Sequence, residues 1–398
     1  MKTKRPRILY FVPELPALNS GLLHAQVLTP ASFMKQNGFD CFFIGTEVSS
    51  DKARQAQQMI VKNYQLDCRI IENSPIGIPY FGFRLTAIKT LLRTRKLIKE
   101  YAPDFIYTRA YHVAPTTRHI AGQNNALSVY DFRGVAAEES ALKNGHGLIY
   151  RFLLAKELSA LRKADRISCV SHKLKIWISE NTGRSDAIVI PCCVDIEKFA
   201  IDIAARVEIR KQFNIAENSK LICYCGNVAK WQKTELIVNL FGEITRRRTD
   251  FKFLFITQND REFKEIALRN QLPESCYYVV QSSHKEVPRL LSAADAGIIM
   301  RDDNVVNNVA SPIKIGEYLA CGLPVILTRG IGDYSEQIAK ADIGLLLDTS
   351  KDQAQQVIEF MDKPDFQAMR TKVSSFAKQY VSLNSYLQNF KELFNNHR

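Results

Sequence analysis

The sequence predicts an α/β protein made of two Rossmann-like halves, each a parallel sheet covered by helices. Short apolar runs rich in β-branched and aromatic residues alternate with longer segments of helical periodicity, which is typical of parallel strands joined by crossover helices. This alternation begins again near residue 200. A chain of 398 residues also exceeds one ordinary core and corresponds to two domains of about 200 residues each.

The elements follow in order along the chain. Seven strands are predicted in the first half, at 7–12, 41–45, 68–71, 104–108, 127–131, 167–170 and 188–190. Six more are predicted in the second half, at 220–225, 251–256, 276–280, 295–300, 324–328 and 343–347. Helices are predicted between the strands, among them 28–37, 84–101, 150–164, 235–246 and 287–294.

The domain boundary is predicted near residue 200. Pro191 interrupts the last strand series, and a charged stretch at 202–211 precedes the next one. We therefore expect a first domain over 1–198, a second over 199–378, and a closing helix over 380–394 within a final segment 379–398. Two doubly wound sheets that face each other would place their strand carboxyl ends around one cleft, where such sheets bind ligands.

Composition narrows the class of protein. The chain carries 54 lysines and arginines against 41 acidic residues, a net charge of +13, which favours anionic partners. The basic residues are dispersed rather than gathered with aromatics, so we expect no nucleic-acid binding. No apolar run reaches the ~18 residues of a membrane helix. Nine cysteines without a CxxC pair are expected to be buried thiols in the cytoplasm.

The segment ASPIKIGEYLACGLPVI at 310–326 carries the functional argument. Ser311 and Pro312 predict a helix start, a hydroxyl cap followed by proline at the first helical position. The free amides of that first turn bind anions, and Lys314 adds a positive charge there. Glu317, one turn later, can reach hydroxyl groups beside the anion. The set fits a diphosphate attached to a ribose.

This segment resembles the donor-binding signature of glycosyltransferase family 4, a retaining family with the GT-B fold. The resemblance implies that Glu317 binds the ribose hydroxyls and that the helix start faces the diphosphate. It extends over nearly the whole chain, because 164–171 and 189–195 resemble the last strands of the first domain. Gly21 lies in a segment similar to the family's glycine loop near the donor phosphates, or in a plain strand-to-helix turn. The closing helix resembles one that crosses back to the first domain.

The chain departs from the family pattern at two places. Gly226 matches the glycine that ends the first strand of the donor domain, but Asn227 stands where the family has an arginine that contacts the diphosphate. Lys230 and Lys233 are both candidates for the missing charge. A Trp-Gln pair like that at 231–232 occurs in branches concerned with surface polysaccharides, although a tryptophan there also serves packing.

The second departure concerns the sugar. Val309 stands eight residues before Glu317, where the family has another glutamate. Arg301, Asp302 and Asp303 follow a predicted strand and are the polar candidates to replace it, unless they simply begin a solvated loop.

The chemistry expected of such a site is metal-independent transfer. The protein must stabilise the leaving diphosphate and position an acceptor hydroxyl, and no Asp-x-Asp motif of metal-dependent transferases is present. Polar residues at strand ends of the first domain are the acceptor-side candidates. Arg109, His112 and Arg133 are predicted to be catalytic, with Asp131 beside them. A loop histidine such as His112 is also commonly structural.

The resemblance implies a bacterial-type hexosyltransferase for lipopolysaccharide or capsule synthesis. It would use a nucleotide sugar as donor and a glycan or lipid-linked acceptor, without a cofactor. The stretch 84–99 has six basic residues and no acid, so it is either a membrane-contact helix at the inner face of the cytoplasmic membrane or a solvated surface helix. A nucleotide-sugar epimerase and a catalytically silent sugar-nucleotide binder remain alternatives.

Overall fold

The computed structural model describes residues 5–18, 21–73, 82–364 and 366–395. The chain divides into two compact units, the first comprising Met1–Pro191 with Tyr386–Arg398 and the second comprising Cys192–Ser385. The sequence placed these divisions at 198/199 and 378/379.

The first unit is a parallel sheet of seven strands. Their order is β3-β2-β1-β4-β5-β6-β7, so the direction of winding changes between β1 and β4, as in doubly wound folds. The strands are β1 (Arg7–Pro16), β2 (Asp40–Glu47), β3 (Asp67–Glu72), β4 (Phe105–Thr108), β5 (Leu127–Phe132), β6 (Arg166–Cys169) and β7 (Ile188–Val189).

Helices connect these strands. They are α1 (Gly21–Leu23), α2 (Thr29–Gln36), α3 (Ser50–Tyr64), α4 (Gly82–Tyr101), α5 (Ala114–Gln123), α6 (Ala136–Asn144), α7 (Leu148–Lys163) and α8 (His172–Thr182). A π-helical turn, His24–Leu28, lies between α1 and α2.

The second unit repeats the architecture with six parallel strands in the order β10-β9-β8-β11-β12-β13. They are β8 (Lys220–Cys225), β9 (Phe251–Ile256), β10 (Tyr277–Val280), β11 (Ala296–Ile299), β12 (Val325–Leu327) and β13 (Gly344–Leu346). The helices are α9 (Ile203–Gln212), α10 (Thr234–Arg247), α11 (Asp260–Arg269), α12 (Val287–Ser292), α13 (Val305–Asn308), α14 (Ile313–Ala320), α15 (Tyr334–Ala341), α16 (Gln353–Met361) and α17 (Phe366–Tyr380).

The buried strands are almost continuously apolar, because a parallel sheet is covered by helices on both faces. In the second unit the core includes a stack in which the Phe241 and Phe253 rings lie 3.7 Å apart, and Phe263 packs on Phe255 at 3.9 Å. In the first unit Phe11 and Phe43 on β1 and β2 are fully buried. All thirteen predicted strands are confirmed, with ends that differ by at most a few residues.

The predicted single helix at 380–394 is wrong. α17 ends at Tyr380, a 3-10 turn follows at Leu383–Tyr386, and α18 runs only from Leu387 to Leu393. The break coincides with Ser382, whose backbone forms a β-bridge with Val194 and whose hydroxyl accepts from the Asn384 amide. α18 belongs to the first unit, as the resemblance implied, and Phe394 just beyond it packs edge-on against Phe105.

No helix in the described residues is both long enough and apolar enough to cross a membrane.

Candidate functional site

The end of β8 is shaped around a lysine. Gly226 has φ +153°, and a Cβ added there would lie 2.4 Å from Nζ of Lys314 and 3.2 Å from the Tyr224 hydroxyl. Only glycine leaves room for that ammonium group while adopting this backbone conformation. The predicted pair of Gly226 and Lys314 is therefore brought together, from segments that are far apart in sequence.

The helix that carries Lys314 begins differently from the prediction. α14 starts at Ile313 with Pro312 as its N-cap, and no side chain caps it. The Ser311 hydroxyl instead accepts a hydrogen bond from the Cys192 amide at 3.1 Å. Ser311 is thus engaged in holding the segment after β7, and the prediction that it caps the helix is wrong. The first amides of α14 remain an anion-binding end.

Lys314 has no carboxylate partner within the described residues. Its Nζ donates to Oε1 of Gln232 at 2.9 Å and lies 4.7 Å from the centre of the Tyr224 ring. Burial, aided by the nearby charge of Arg301, lowers the pKa of Lys314 to about 7, against the opposing effects of Cys225 and Glu317. The ammonium is therefore held where an arriving anion would stabilise it.

Glu317 is 5% exposed and lies one turn beyond Lys314 on α14. Its Oε1 is 3.2 Å from Nε2 of His284, which follows β10. This hydrogen bond raises the pKa of His284, and burial opposes the rise without cancelling it. His284 was not among the predicted site residues, although its position in a polar segment after a strand was an available signal.

Arg301 follows β11 and is 7% exposed. Its Nη1 donates to the Trp231 carbonyl at 3.0 Å, and its guanidinium lies 4.1 Å from the centre of the Trp231 ring. Its Nε is buried without a hydrogen-bond partner in the part of the chain that the structure describes. Burial lowers the pKa of Arg301 to about 10. The prediction singled out Arg301, but local sequence gave no sign that Trp231 would be its platform.

A cavity of about 1050 Å³ opens beside Arg301 in the second unit. Residues after β11, β12 and β13 line it together with one side of α10, and they include Lys233, Arg301, Asp302, Asp303, Thr328 and Arg329. Lys233 is paired with Asp302 at 2.7 Å. Gly226, Lys314 and Glu317 do not line this cavity. Arg301 therefore connects two neighbouring groups of predicted donor residues, the one around Lys314 and the one around the cavity.

Three other predicted positions have less direct roles. The Asn227 carbonyl accepts a hydrogen bond from the Tyr224 hydroxyl at 2.7 Å. The side chain of Lys230 lies outside the described residues. Val309 is buried, which leaves no polar group at the position of the family's other glutamate.

In the first unit, the candidates converge on Asp131 at the end of β5. Arg133 donates to its Oδ2 at 3.1 Å, Ser168 to its Oδ1 at 2.8 Å, and Tyr107 also donates to it. Arg109 Nε lies 3.8 Å from Oδ2. Burial by itself would raise the pKa of Asp131, but the two arginines and the hydroxyl donors outweigh it and lower the pKa.

Arg109 also reaches the segment predicted to hold a glycine loop. Its Nη2 donates to Gln26 in the π-helical turn at 2.6 Å, while its buried Nη1 has no hydrogen-bond partner among the described residues. Gly21 is exposed, and a Cβ added there would meet nothing within 4 Å, so the fold itself does not require glycine. His112 lies in the turn before α5 with its ring 5.3 Å from that of Tyr111.

Across the described ranges, no group of three or more His, Cys, Asp or Glu side chains is arranged to hold a metal ion. The predicted metal independence remains a prediction.

Two family models match this chain, one over most of each half. The family model for Glycosyltransferase Family 4 matches residues 26–198, and that for Glycosyl transferases group 1 matches residues 205–380. WcaI of Escherichia coli K12, whose name assigns it to colanic acid biosynthesis, is 22% identical over 52% of both chains. TuaH of Bacillus subtilis 168, whose name assigns it to teichuronic acid biosynthesis, is 25% identical over 45% of this chain and 44% of its own. The chain thus spans about half the length of the curated relatives it matches.

The crystal structure of Anabaena Alr3699/HepE with UDP and glucose is similar over 98% of this chain and 99% of that one, with a TM-score of 0.74 and 14% identity. At that identity the likeness concerns the fold, two parallel-sheet α/β units in one chain. With a family 4 first half, a group 1 second half and this fold, the chain belongs to the GT-B glycosyltransferases.

Proposed function

We propose that the protein is a retaining, metal-independent hexosyltransferase that uses a nucleoside diphosphate sugar. The observation that carries the proposal is the Lys314 ammonium beneath Gly226, without a carboxylate partner in the described chain and one helical turn from the buried Glu317. A buried cation at a helix start is suited to a diphosphate. Glu317, which His284 orients, is then available for the ribose hydroxyls.

The order of the strands supports this assignment. His284 follows β10, Gly226 follows β8 and Arg301 follows β11, and the cavity lies at the ends of β11, β12 and β13. Neighbouring strands are ~4.8 Å apart, so the three steps from β10 to β11 span about 14 Å. That length suits a nucleoside diphosphate laid along the carboxyl edge, with its sugar directed towards the cavity. HepE, of the same fold, was crystallised with UDP and with UDP-glucose.

The chemical roles follow from the charge that develops. As the bond to the diphosphate breaks, negative charge grows on the leaving oxygen, and Lys314 with the amides of α14 would stabilise it. On the acceptor side we propose Arg109, His112 and Arg133. Asp131 positions both arginines, and the unpartnered Nη1 of Arg109 remains able to donate to a hydroxyl or phosphate group.

We further propose a role in surface polysaccharide synthesis, of the lipopolysaccharide or capsule type, with a glycan or lipid-linked acceptor. The names of WcaI and TuaH, both assigned to bacterial cell-surface polymers, support it. The proposal places the protein in the cytoplasm, with peripheral contact to the inner face of the cytoplasmic membrane.

Two surfaces of the first unit support membrane contact. α4, which carries the basic stretch 84–99, exposes Leu85 and Leu92. The start of α7 exposes Leu148 (83%) and Phe152, and the Lys156 ammonium lies 5.3 Å from the Phe152 ring centre. Sedimentation with anionic vesicles should decline for Leu148→Glu or Leu92→Glu relative to wild type. If both variants bind the vesicles as strongly as wild type, or if wild type does not bind them, this part of the proposal fails.

Turnover tests the proposal as a whole. We expect release of nucleoside diphosphate from one nucleotide sugar in the presence of EDTA and a lipid-linked glycan fraction, and loss of release in Lys314→Gln. NMR of the product should show the anomeric configuration of the donor. Binding without turnover would favour the silent relative, and conversion of the donor without an acceptor would favour the epimerase.

A further inference from the structure

The donor site lacks the guanidinium that the family places directly after β8. Asn227 occupies that position, and its carbonyl accepts from Tyr224. Lys233 is paired with Asp302 at 2.7 Å, so its charge is already compensated. The question is which group of this chain supplies the second cation beside Lys314.

Arg301 is suited to that role because it is buried and has an unused hydrogen-bond donor. It is 7% exposed, and no carboxylate in the described ranges lies within 4.0 Å of its guanidinium nitrogens. The Trp231 carbonyl accepts from it, and the buried Nε has no hydrogen-bond partner within the described chain. A buried charge without an anion is costly, and a structural arginine normally has its donors satisfied. An anionic ligand would remove both deficits.

Trp231 fixes the guanidinium in place. The indole ring lies 4.1 Å from it and is itself 53% exposed, so the pair forms a platform at the surface of the site. Stacking restrains the planar fork, so less entropy is lost when it binds phosphate oxygens. The 3-10 turn Lys230–Gln232 serves both cations, because the Trp231 carbonyl accepts from Arg301 and the Gln232 side chain accepts from Lys314.

Arg301 is also close to Lys314. Its charge contributes to the lowered pKa of that lysine. Arg301 directly follows β11, and Lys314 lies in the first turn of α14. Two buried cations that donate to adjacent residues of one turn, Trp231 and Gln232, indicate a site for a doubly charged anion.

We propose that Arg301, held on Trp231, binds the donor diphosphate in place of the arginine that is absent at Asn227, with Lys314 as its partner cation. This rests on the proposed use of a nucleotide sugar. The guanidinium can contact two phosphate oxygens at once, as arginine forks do. The phosphate-site cation of this chain then comes from the strand that neighbours β8 rather than from the β8 loop itself.

Calorimetry separates this role from a structural one. UDP, GDP and ADP are titrated into wild type, Arg301→Gln and Arg301→Lys, and the nucleoside of whichever diphosphate binds is titrated in parallel. Arg301→Gln should weaken the diphosphate about 10- to 100-fold and leave the nucleoside affinity unchanged. Arg301→Lys should fall between the two. The matched control is Arg269→Gln, which removes an exposed arginine at the end of α11, outside the cavity, and should bind as wild type.

A second variant addresses the position of the charge. Adding Asn227→Arg to Arg301→Gln should recover part of the diphosphate affinity, with circular dichroism and the melting temperature confirming that each variant is folded. The inference is overturned if Arg301→Gln binds the diphosphate as wild type does, or loses nucleoside and diphosphate equally. If wild type binds none of the three nucleotides, the proposed function fails, and the inference fails with it.

Discussion

The sharpest consequence of the donor site is that binding should depend on pH through Lys314. Its pKa of about 7 in the free protein means that the ammonium is only partly formed at neutral pH. A diphosphate next to it would stabilise the charged form and raise that pKa, so donor binding takes up a proton. Affinity is then highest below pH 7 and falls as the pH rises above it.

The size of the effect follows from the protonated fraction. A group with a pKa of about 7 is about 50% protonated at pH 7 and about 3% protonated at pH 8.5. If the bound protein keeps the proton, affinity falls about 16-fold over that interval, equivalent to about 1.6 kcal/mol. At pH 7 each binding event should take up about half a proton.

The assay is isothermal titration calorimetry with a nucleotide sugar, whose phosphates do not titrate in this range. Titrations at pH 7.0, 7.75 and 8.5 give the affinity, and two buffers of different ionisation enthalpy at pH 7 give the proton uptake. Lys314→Arg is the matched variant, because it keeps a cation that does not titrate. It should lose the part of the pH dependence and of the proton uptake that the Lys314 ammonium causes.

The reasoning is refuted if wild type binds with equal affinity at pH 7.0 and 8.5. It is refuted equally if Lys314→Arg retains the wild-type pH dependence, since another group would then be titrating.

Three further predictions concern stability. Gly226→Ala places a methyl group where the Lys314 ammonium lies and should cost about 1–3 kcal/mol in urea unfolding, whereas Gly122→Ala, with open space around it, should not destabilise. Asp131→Asn leaves Arg109 and Arg133 without their carboxylate and should cost roughly 3–5 kcal/mol of unfolding free energy. A change below about 1 kcal/mol would contradict the role of Asp131 in holding both arginines. Burial raises the pKa of Glu157 to about 7, above its unfolded value of about 4.3, so stability should fall by up to about 3 kcal/mol between pH 4.5 and 7. Glu157→Gln should flatten that profile.

The sequence predicted the fold well because its signal is local. Runs such as 221–225 and 253–256 are apolar throughout, and this pattern suffices for buried parallel strands. The donor-binding segment could also be recognised from the sequence, because Lys314 and Glu317 lie one turn apart on a helix between two strands.

The errors and omissions arise from contacts between distant segments. Ser311 has the local sequence pattern of a helix cap, yet its hydroxyl accepts a hydrogen bond from the Cys192 amide instead. The 380–394 helix breaks where Ser382 pairs with Val194. Likewise, the stacking of Arg301 on Trp231 joins residues 70 positions apart in sequence, and no periodicity reports such a contact.

The central claim is that the second unit binds a nucleoside diphosphate sugar through Glu317 and Lys314. The most direct test is calorimetry of UDP-, GDP- and ADP-sugars in EDTA, with a CMP-sugar as the single-phosphate control, on wild type and Glu317→Ala. We predict that one of the three diphosphate sugars binds wild type and that Glu317→Ala loses this affinity. Binding of none of them by wild type, with or without magnesium, or undiminished binding by Glu317→Ala, would contradict it.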